Sequence, residues 1–238
     1  MEKNAEDNDM NNKGIKIYIL IIIPFLILFH YPPLLFSSEE ESQQDQSLIG
    51  VIENIKKKEK DLKTFTAKFI QKKETNLLLE PLHSDGMIYF DSAGKLLMKV
   101  INPYELIILV RDGRLVIYYP SSSKVEDRYL GSDFIKRFFG IGQSLGELEN
   151  HYRIRLVSDN GLNSCNLELK PKLNAMAKHI DLIDITVNKE KWLPEKISFK
   201  ETKGDSTTLL LDFVSVNEPL PPGIFEIDFP YSVENTMH

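Results

Sequence analysis

The stretch "YELIILVRDGRLVIYYP", Tyr104 to Pro120, sets two apolar runs on either side of Arg111-Asp112-Gly113. Asp-Gly supplies the positive backbone angles of a tight hairpin turn, so the stretch reads as two antiparallel strands. A half-covered antiparallel strand alternates apolar and polar residues, because successive side chains point to opposite faces. Leu106 to Val110 does not alternate; it is apolar on both faces. Each face of this hairpin therefore needs a cover.

The neighbouring segments do alternate. In "TFTAKFIQKK" Phe65, Ala67 and Phe69 oppose Thr64, Thr66 and Lys68, and in "KLLMKVIN" Leu96, Met98 and Val100 oppose Lys95 and Lys99. Further strands are predicted near 86–90, 104–110, 114–119, 152–157, 165–170, 179–188, 192–201 and 207–216. Turn residues such as Gly94, Asn102-Pro103, Asp159-Asn160-Gly161, Asn188 and Gly204 separate them. Short strands with hairpin-length loops form an antiparallel meander, not βαβ units. No internal repeat of fixed period is visible.

Two segments carry a helical period instead. Ser47 is placed to cap a helix running to about Lys63, with Leu48, Ile52, Ile55 and Leu62 on one face, which Ile49 and Val51 widen. Ser132 to Asn150 interrupts the meander, with Phe134, Ile135, Phe138 and Phe139 at helical spacing and a further turn from Ser144 to Glu149. The expected fold is mainly β with α: one extended antiparallel sheet of about ten strands, with two or three helices against one face.

Export is written at the N-terminus. Ile15 to Phe29, "IKIYILIIIPFLILF", is a short apolar run preceded by Lys13 and Lys16, the pattern of a secretory signal. Extended to Phe36 it becomes long enough to span a bilayer, although Pro24, His30, Pro32 and Pro33 interrupt it. Residues 1–38 are read as a signal peptide or an uncleaved anchor, 39–46 as a polar spacer, and 47–238 as the exported domain. Either fate of 15–36 delivers the remainder to the periplasm, free or held at the inner membrane. No cysteine lies near the end of the run, so the chain is not itself marked as a lipoprotein.

Composition narrows the function by exclusion. The chain has 238 residues and a net charge of −6, with no basic stripe for a nucleic-acid backbone. Its single cysteine, Cys165, cannot close an intrachain disulfide. The five histidines, His30, His83, His151, His179 and His238, show no metal spacing, and no P-loop or G-x-S-x-G is present. "GIGQSLG" at 140–146 follows no buried parallel strand and reads as a stop after the Phe-rich helix. Asp181 and Asp184 stand three apart on a strand, on opposite faces. No catalytic residue and no cofactor are expected.

Apolar surface is what remains. A wide twisted sheet curls into a trough that two or three short helices do not fill. The predicted lining is Phe65, Phe69, Phe90, Leu96, Met98, Val100, Ile108, Val116 and Tyr118, with Phe134, Phe138 and Phe139 from the inserted helix. For any one of these residues ordinary core packing is the favoured account. Ile107 and Leu109, on the other face, are left to a membrane, another protein or the Pro-rich C-terminal segment.

Several segments, in order, resemble one family. "FTAKFIQKK" matches an F-x-A-x-F-x-Q first strand through Phe65, Ala67, Phe69 and Gln71. A Gly-led strand from Gly86, the turn and strand after Asp91, and the Asp112-Gly113 hairpin follow. "NEPLPPGIFEIDFP" then echoes a closing segment through Asn217, Phe225, Ile227 and Pro230. Together they resemble the periplasmic outer-membrane lipoprotein carrier family, LolA, over about Leu48 to Val233. The resemblance implies an incomplete, half-open antiparallel barrel of ten or eleven strands, with helices as a lid over an apolar cavity. It implies a monomeric shuttle that takes acylated lipoproteins from an inner-membrane lipoprotein-releasing ABC transporter to an outer-membrane receptor. A carrier of another lipid, a membrane-tethered acceptor and an envelope-stress sensor of lipoproteins are alternatives on the same fold. The chain departs from the pattern where the family often has Arg-Pro, here Ser92-Ala93, which puts in doubt the latch that this Arg is thought to form with the lid. Leu97-Met98 stands for the usual Arg-Trp, and Ile117 for the hairpin Trp.

Overall fold

The computed structural model describes residues 44–129, 149, 151–161, 163–172 and 177–230. The apolar run at 15–36 and the inserted helix with Phe134, Phe138 and Phe139 lie outside the described residues; of Ser144 to Glu149 only Glu149 is described, and it is helical.

Helix α1 spans Gln44–Asp61. The strands are β1 Thr64–Glu74, β2 Leu82–Asp91, β3 Lys95–Asn102, β4 Leu106–Arg111, β5 Arg114–Tyr119, β6 Lys124–Tyr129, β7 Tyr152–Asp159, β8 Ser164–Pro171, β9 Ile180–Asn188, β10 Leu193–Glu201 and β11 Ser206–Val216. They form one sheet in the order β6-β5-β4-β3-β2-β1-β11-β10-β9-β8-β7. Every pairing is antiparallel, and the sheet does not close on itself; it is a half-open barrel.

Three expectations change. β6, "KVEDRY", has no alternation to announce it, and only Val125 is buried there. Its charges are matched across and along the strand: Arg114 grips Asp127 at 2.6 Å, and Lys124 reaches Glu126 at 3.1 Å. Charged side chains along an edge discourage pairing with other chains. Helix α1 begins at Gln44, inside the segment read as spacer, so Ser47 lies within the helix and does not cap it. Val51, Ile52 and Ile55 are buried while Ile49 is exposed, because Ile49 stands about 100° around the helix from Leu48.

The third change concerns the opening hairpin. Asp112 and Gly113 both have positive φ, 52° and 76°, as a two-residue turn requires. Such a turn pairs Val110 with Leu115 and Ile108 with Ile117, so facing parity switches from even on β4 to odd on β5. Leu115, Ile117 and Tyr119 therefore share a face with Ile108, while Val116 and Tyr118 point to the opposite side. Their expected place in the lining is corrected to the outer face.

That outer face is covered from within the chain. Asn217, at φ 61°, ends β11 and redirects the backbone. Its Oδ1 accepts from the Lys63 amide at 2.7 Å and its Nδ2 donates to the Asp61 carbonyl at 2.8 Å, tying this corner to the end of α1. The strap that follows lays Leu220, Ile224, Phe225, Ile227 and Phe229 over Leu97, Leu109, Ile107 and Val116. Tyr118 meets the Phe229 ring edge-on at 5.6 Å, and Arg111 Nη1 donates to the Phe225 carbonyl at 2.8 Å. Of the three covers left open for Ile107 and Leu109, it is the C-terminal segment that provides one. Phe225 is the buried anchor of the strap, so Phe225→Ala is expected to lower the free energy of unfolding by about 3 kcal/mol in urea titration.

Candidate functional site

The inner face divides into two apolar fields. Over β7–β10, helix α1 presses Val51, Ile52 and Ile55 onto Tyr152, Leu156, Cys165, Leu167, Leu169, Ile180, Ile183 and Phe199. This half is filled by the protein itself. Burial pushes the Tyr152 hydroxyl and the Cys165 thiol above their ordinary ranges, so both stay protonated near neutrality.

The field over β1–β5 is built from cross-strand rows. One row runs Leu115, Val110, Leu96, Phe90 and Phe65 to Val216 on β11. The next runs Ile117, Ile108, Met98, Ile88 and Ala67, and the third contains Val100, Gly86, Phe69 and Leu211. Phe65 stacks on Phe90 at 5.1 Å and meets Phe213 edge-on at 5.2 Å. Gly86 is required where it stands: a Cβ there would strike the Lys99 carbonyl and come within 2.9 Å of the Phe69 ring. Among the described residues, the one hydrophobic side chain outside the sheet that packs on this field is Leu62, just past α1.

The structure brings Phe65, Phe69, Phe90, Leu96, Met98, Val100 and Ile108 together on this face; Met98 is half-buried and the others are buried. It adds Leu115, Ile117 and Tyr119 from β5, and Leu209, Leu211, Phe213 and Val216 from β11. On β11, Leu209, Leu211 and Phe213 share one parity, and the register shift opposite Thr66/Ala67 brings Val216 to the same face.

One end of the face is polar. Gln71 and Lys73 continue the inward series of Phe65, Ala67 and Phe69 along β1, opposite Ser84 on β2 and Thr207 on β11. All four are buried, Lys73 to 1% exposure, and Lys73 Nζ lies 3.3 Å from Glu201 Oε1. Composition of β1 announced this end, yet period-two reading fixed only its apolar half.

Other features lie apart from the inner face. An open cleft of about 510 Å³ on the strap side is lined by Lys95, Arg111, Asp112, Phe225 and Glu226, and holds none of the expected lining. Ser92, at the position of the family's latch Arg, is exposed and donates its amide to the Lys63 carbonyl at 2.7 Å. Among the described residues, no three His, Cys, Asp or Glu side chains converge to hold a metal, and no helix is long and apolar enough to cross a membrane.

Comparison with known proteins agrees with this geometry. A family model described as outer membrane lipoprotein carrier protein LolA matches residues 60–228. A conserved protein from Thermus thermophilus superposes with a TM-score of 0.52 at 10% identity, over 79% of this chain and 97% of that one. The lipoprotein LppX of Mycobacterium tuberculosis gives 0.47 at 10% identity, over 74% and 98%. MucB gives 0.45 at 14% identity, over 78% of this chain and 64% of that one. Among curated proteins, none matches by sequence.

The sealed half and the raised thiol yield one expectation. Cys165 is 0% exposed, and a protonated thiol is a poor nucleophile. Iodoacetamide at pH 7.5 should leave the native protein unlabelled by intact mass, and should add one carbamidomethyl group once the chain is unfolded in guanidinium.

Proposed function

The chain belongs to the family of the outer membrane lipoprotein carrier protein LolA, and from that premise we propose that it shields the acyl chains of lipoproteins on the inner face of β1–β5 and carries them across the periplasm. The observation that carries the reading is the asymmetry of the inner face. Helix α1 packs on the β7–β10 half, whereas among the described residues Leu62 is the only hydrophobic side chain from outside the sheet that packs on the β1–β5 half. A field of Phe, Leu, Ile, Val and Met side chains suits hydrocarbon and offers it no reactive group.

The energetics explain why a carrier is needed. Each methylene removed from water is worth about 0.8 kcal/mol, so three acyl chains amount to tens of kcal/mol. Such a molecule does not cross an aqueous gap unaided. The carrier must match this driving force closely enough to accept the chains and still surrender them, which non-directional apolar contact allows and covalent attachment would not. On this reading the donor is an inner-membrane lipoprotein-releasing transporter and the acceptor an outer-membrane receptor. The lid expected from the segment with Phe134, Phe138 and Phe139 lies outside the described residues. Should the segment 15–36 be retained, the same face would serve a membrane-tethered acceptor.

Met98 sits in the middle row of the face and is half-buried, so a charge there is tolerated by the fold but not by hydrocarbon. Met98→Glu is expected to reduce co-purifying acylated lipoprotein at least tenfold while leaving the circular-dichroism spectrum unchanged. Undiminished lipoprotein on the variant would overturn the assignment of the face. Mass spectrometry of organic extracts identifies the cargo: acylated peptide supports the proposal, and free lipid alone replaces it with lipid carriage on the same fold.

A further inference from the structure

The polar end of the inner face is unexpected in a hydrocarbon site. Gln71 is 5% exposed and Thr207 6%, on adjacent strands one diagonal apart in the register Gln71–Leu209 and Lys73–Thr207. Gln71 Nε2 and Thr207 Oγ1 have no hydrogen-bond partner among the described residues. A buried donor without a partner is destabilising, and an apolar side chain of the same shape would serve packing better. The neighbouring Lys73 is buried and paired at 3.3 Å with the half-buried Glu201, an arrangement that apolar residues often replace without loss. Packing alone does not account for four buried polar side chains in one place.

Resting on the carrier reading above, we propose that this end is the subsite for the polar junction of the cargo, with Gln71 Nε2 and Thr207 Oγ1 donating to the ester carbonyl oxygens from which the acyl chains hang. The geometry matches an amphiphile laid along β1. Carbonyls meet Gln71 and Thr207, and the chains run past Phe69 and Ala67, each two residues further along β1, towards Phe65 and its β2 neighbour Phe90. The Lys73–Glu201 pair closes the end and keeps hydrocarbon from running beyond it.

The test compares two lipids on the full chain, by displacement of a fluorescent acyl probe: dipalmitoylglycerol, with two ester carbonyls, and dihexadecylglycerol, its ether counterpart without them. The unaltered protein should favour the ester about tenfold, the worth of one or two neutral hydrogen bonds. Gln71→Leu and Thr207→Val should each lower ester affinity towards the ether value, leave ether affinity unchanged, and leave the melting temperature equal or higher. Equal affinity for the two lipids in the unaltered protein overturns the subsite while leaving the carrier intact. So does an equal loss of both lipids in the variants. Binding of neither lipid by the unaltered protein overturns the carrier reading, and the subsite with it.

A separate observation concerns the loop joining β1 to β2. Leu77 and Leu79 are 83% and 106% exposed, with Leu78 between them at 38%. The loop is nonetheless fastened at its base. The Asn76 amide donates to Asp205 Oδ1 at 3.2 Å, Asn76 Nδ2 to the Lys203 carbonyl at 3.0 Å, and the Leu78 amide to the Thr75 carbonyl at 3.2 Å. Residues 75–79 carry no charge; of the two carboxylates that flank them, Glu74 and Glu80, the first is paired with Lys72 at 2.7 Å. A narrow tip with three leucines is too small for a stable protein interface and the right size to enter an acyl layer.

From this we infer that the β1–β2 tip inserts into a lipid surface. Leu79→Trp places a fluorophore at the tip, read against the single native Trp192. On adding phosphatidylcholine vesicles with brominated acyl chains, the tip emission should shift to the blue and be quenched by more than half. The additional change Leu77→Ser should weaken the quenching severalfold without lowering the melting temperature. Unquenched tip emission, or quenching indifferent to Leu77→Ser, overturns the inference, the first even if another part of the chain holds the vesicle.

Discussion

Two apolar faces on one hairpin constrain this molecule more than any other feature. Strands β3, β4 and β5 place Leu97, Leu109 and Val116 on one side and Leu96, Ile108 and Ile117 on the other. A sheet segment of this kind is stable only if both sides leave water. The C-terminal strap covers the outer side, held at its root by Asn217 and along its length by the Arg111–Phe225 hydrogen bond. Because the strap takes the outer side, the inner side of β1–β5 forms a separate apolar cluster.

The two halves of the half-barrel thus do different work with the same architecture. Over β7–β10 the inward residues meet α1 and make an ordinary core. Over β1–β5 they form flat apolar rows with aromatic side chains at the Phe65–Phe90 end and polar ones at the Gln71–Lys73 end. Strand β1 lies between the halves and runs through the whole gradient, from Phe65 to Lys73, in five inward positions. On the proposed reading, a surface graded in this way would orient an amphiphile without gripping it, the property a carrier needs and a fixed receptor does not.

Reading periodicity succeeded where one face of an element is buried and the other wet. β1 and α1 were legible for that reason, and Phe65, Phe69, Phe90, Leu96, Met98, Val100 and Ile108 were legible as one surface. β6 was illegible because its alternation is electrostatic: Lys124, Glu126, Asp127 and Arg128 satisfy one another and Arg114, so hydropathy sees only charge. Val116 and Tyr118 were assigned to the wrong face because parity passes through a two-residue turn by register, Val110 to Leu115, and does not continue by counting. Polar residues at an inward position, such as Gln71, are discounted by any method that looks for grease.

By itself the sequence determined the strands other than β6, their antiparallel order around Asp112-Gly113, and the existence of more apolar surface than one sheet face can hide. Those properties are local: they depend on side-chain alternation and on backbone angles that Asp and Gly permit. Tertiary structure alone decided that residues 217–230 lie over β3–β5, that α1 closes the β7–β10 half, and that Gln71 and Thr207 lie beside each other. Residues more than a hundred positions apart meet at each of these places, and no period within a strand or helix encodes which of several apolar surfaces will find the other.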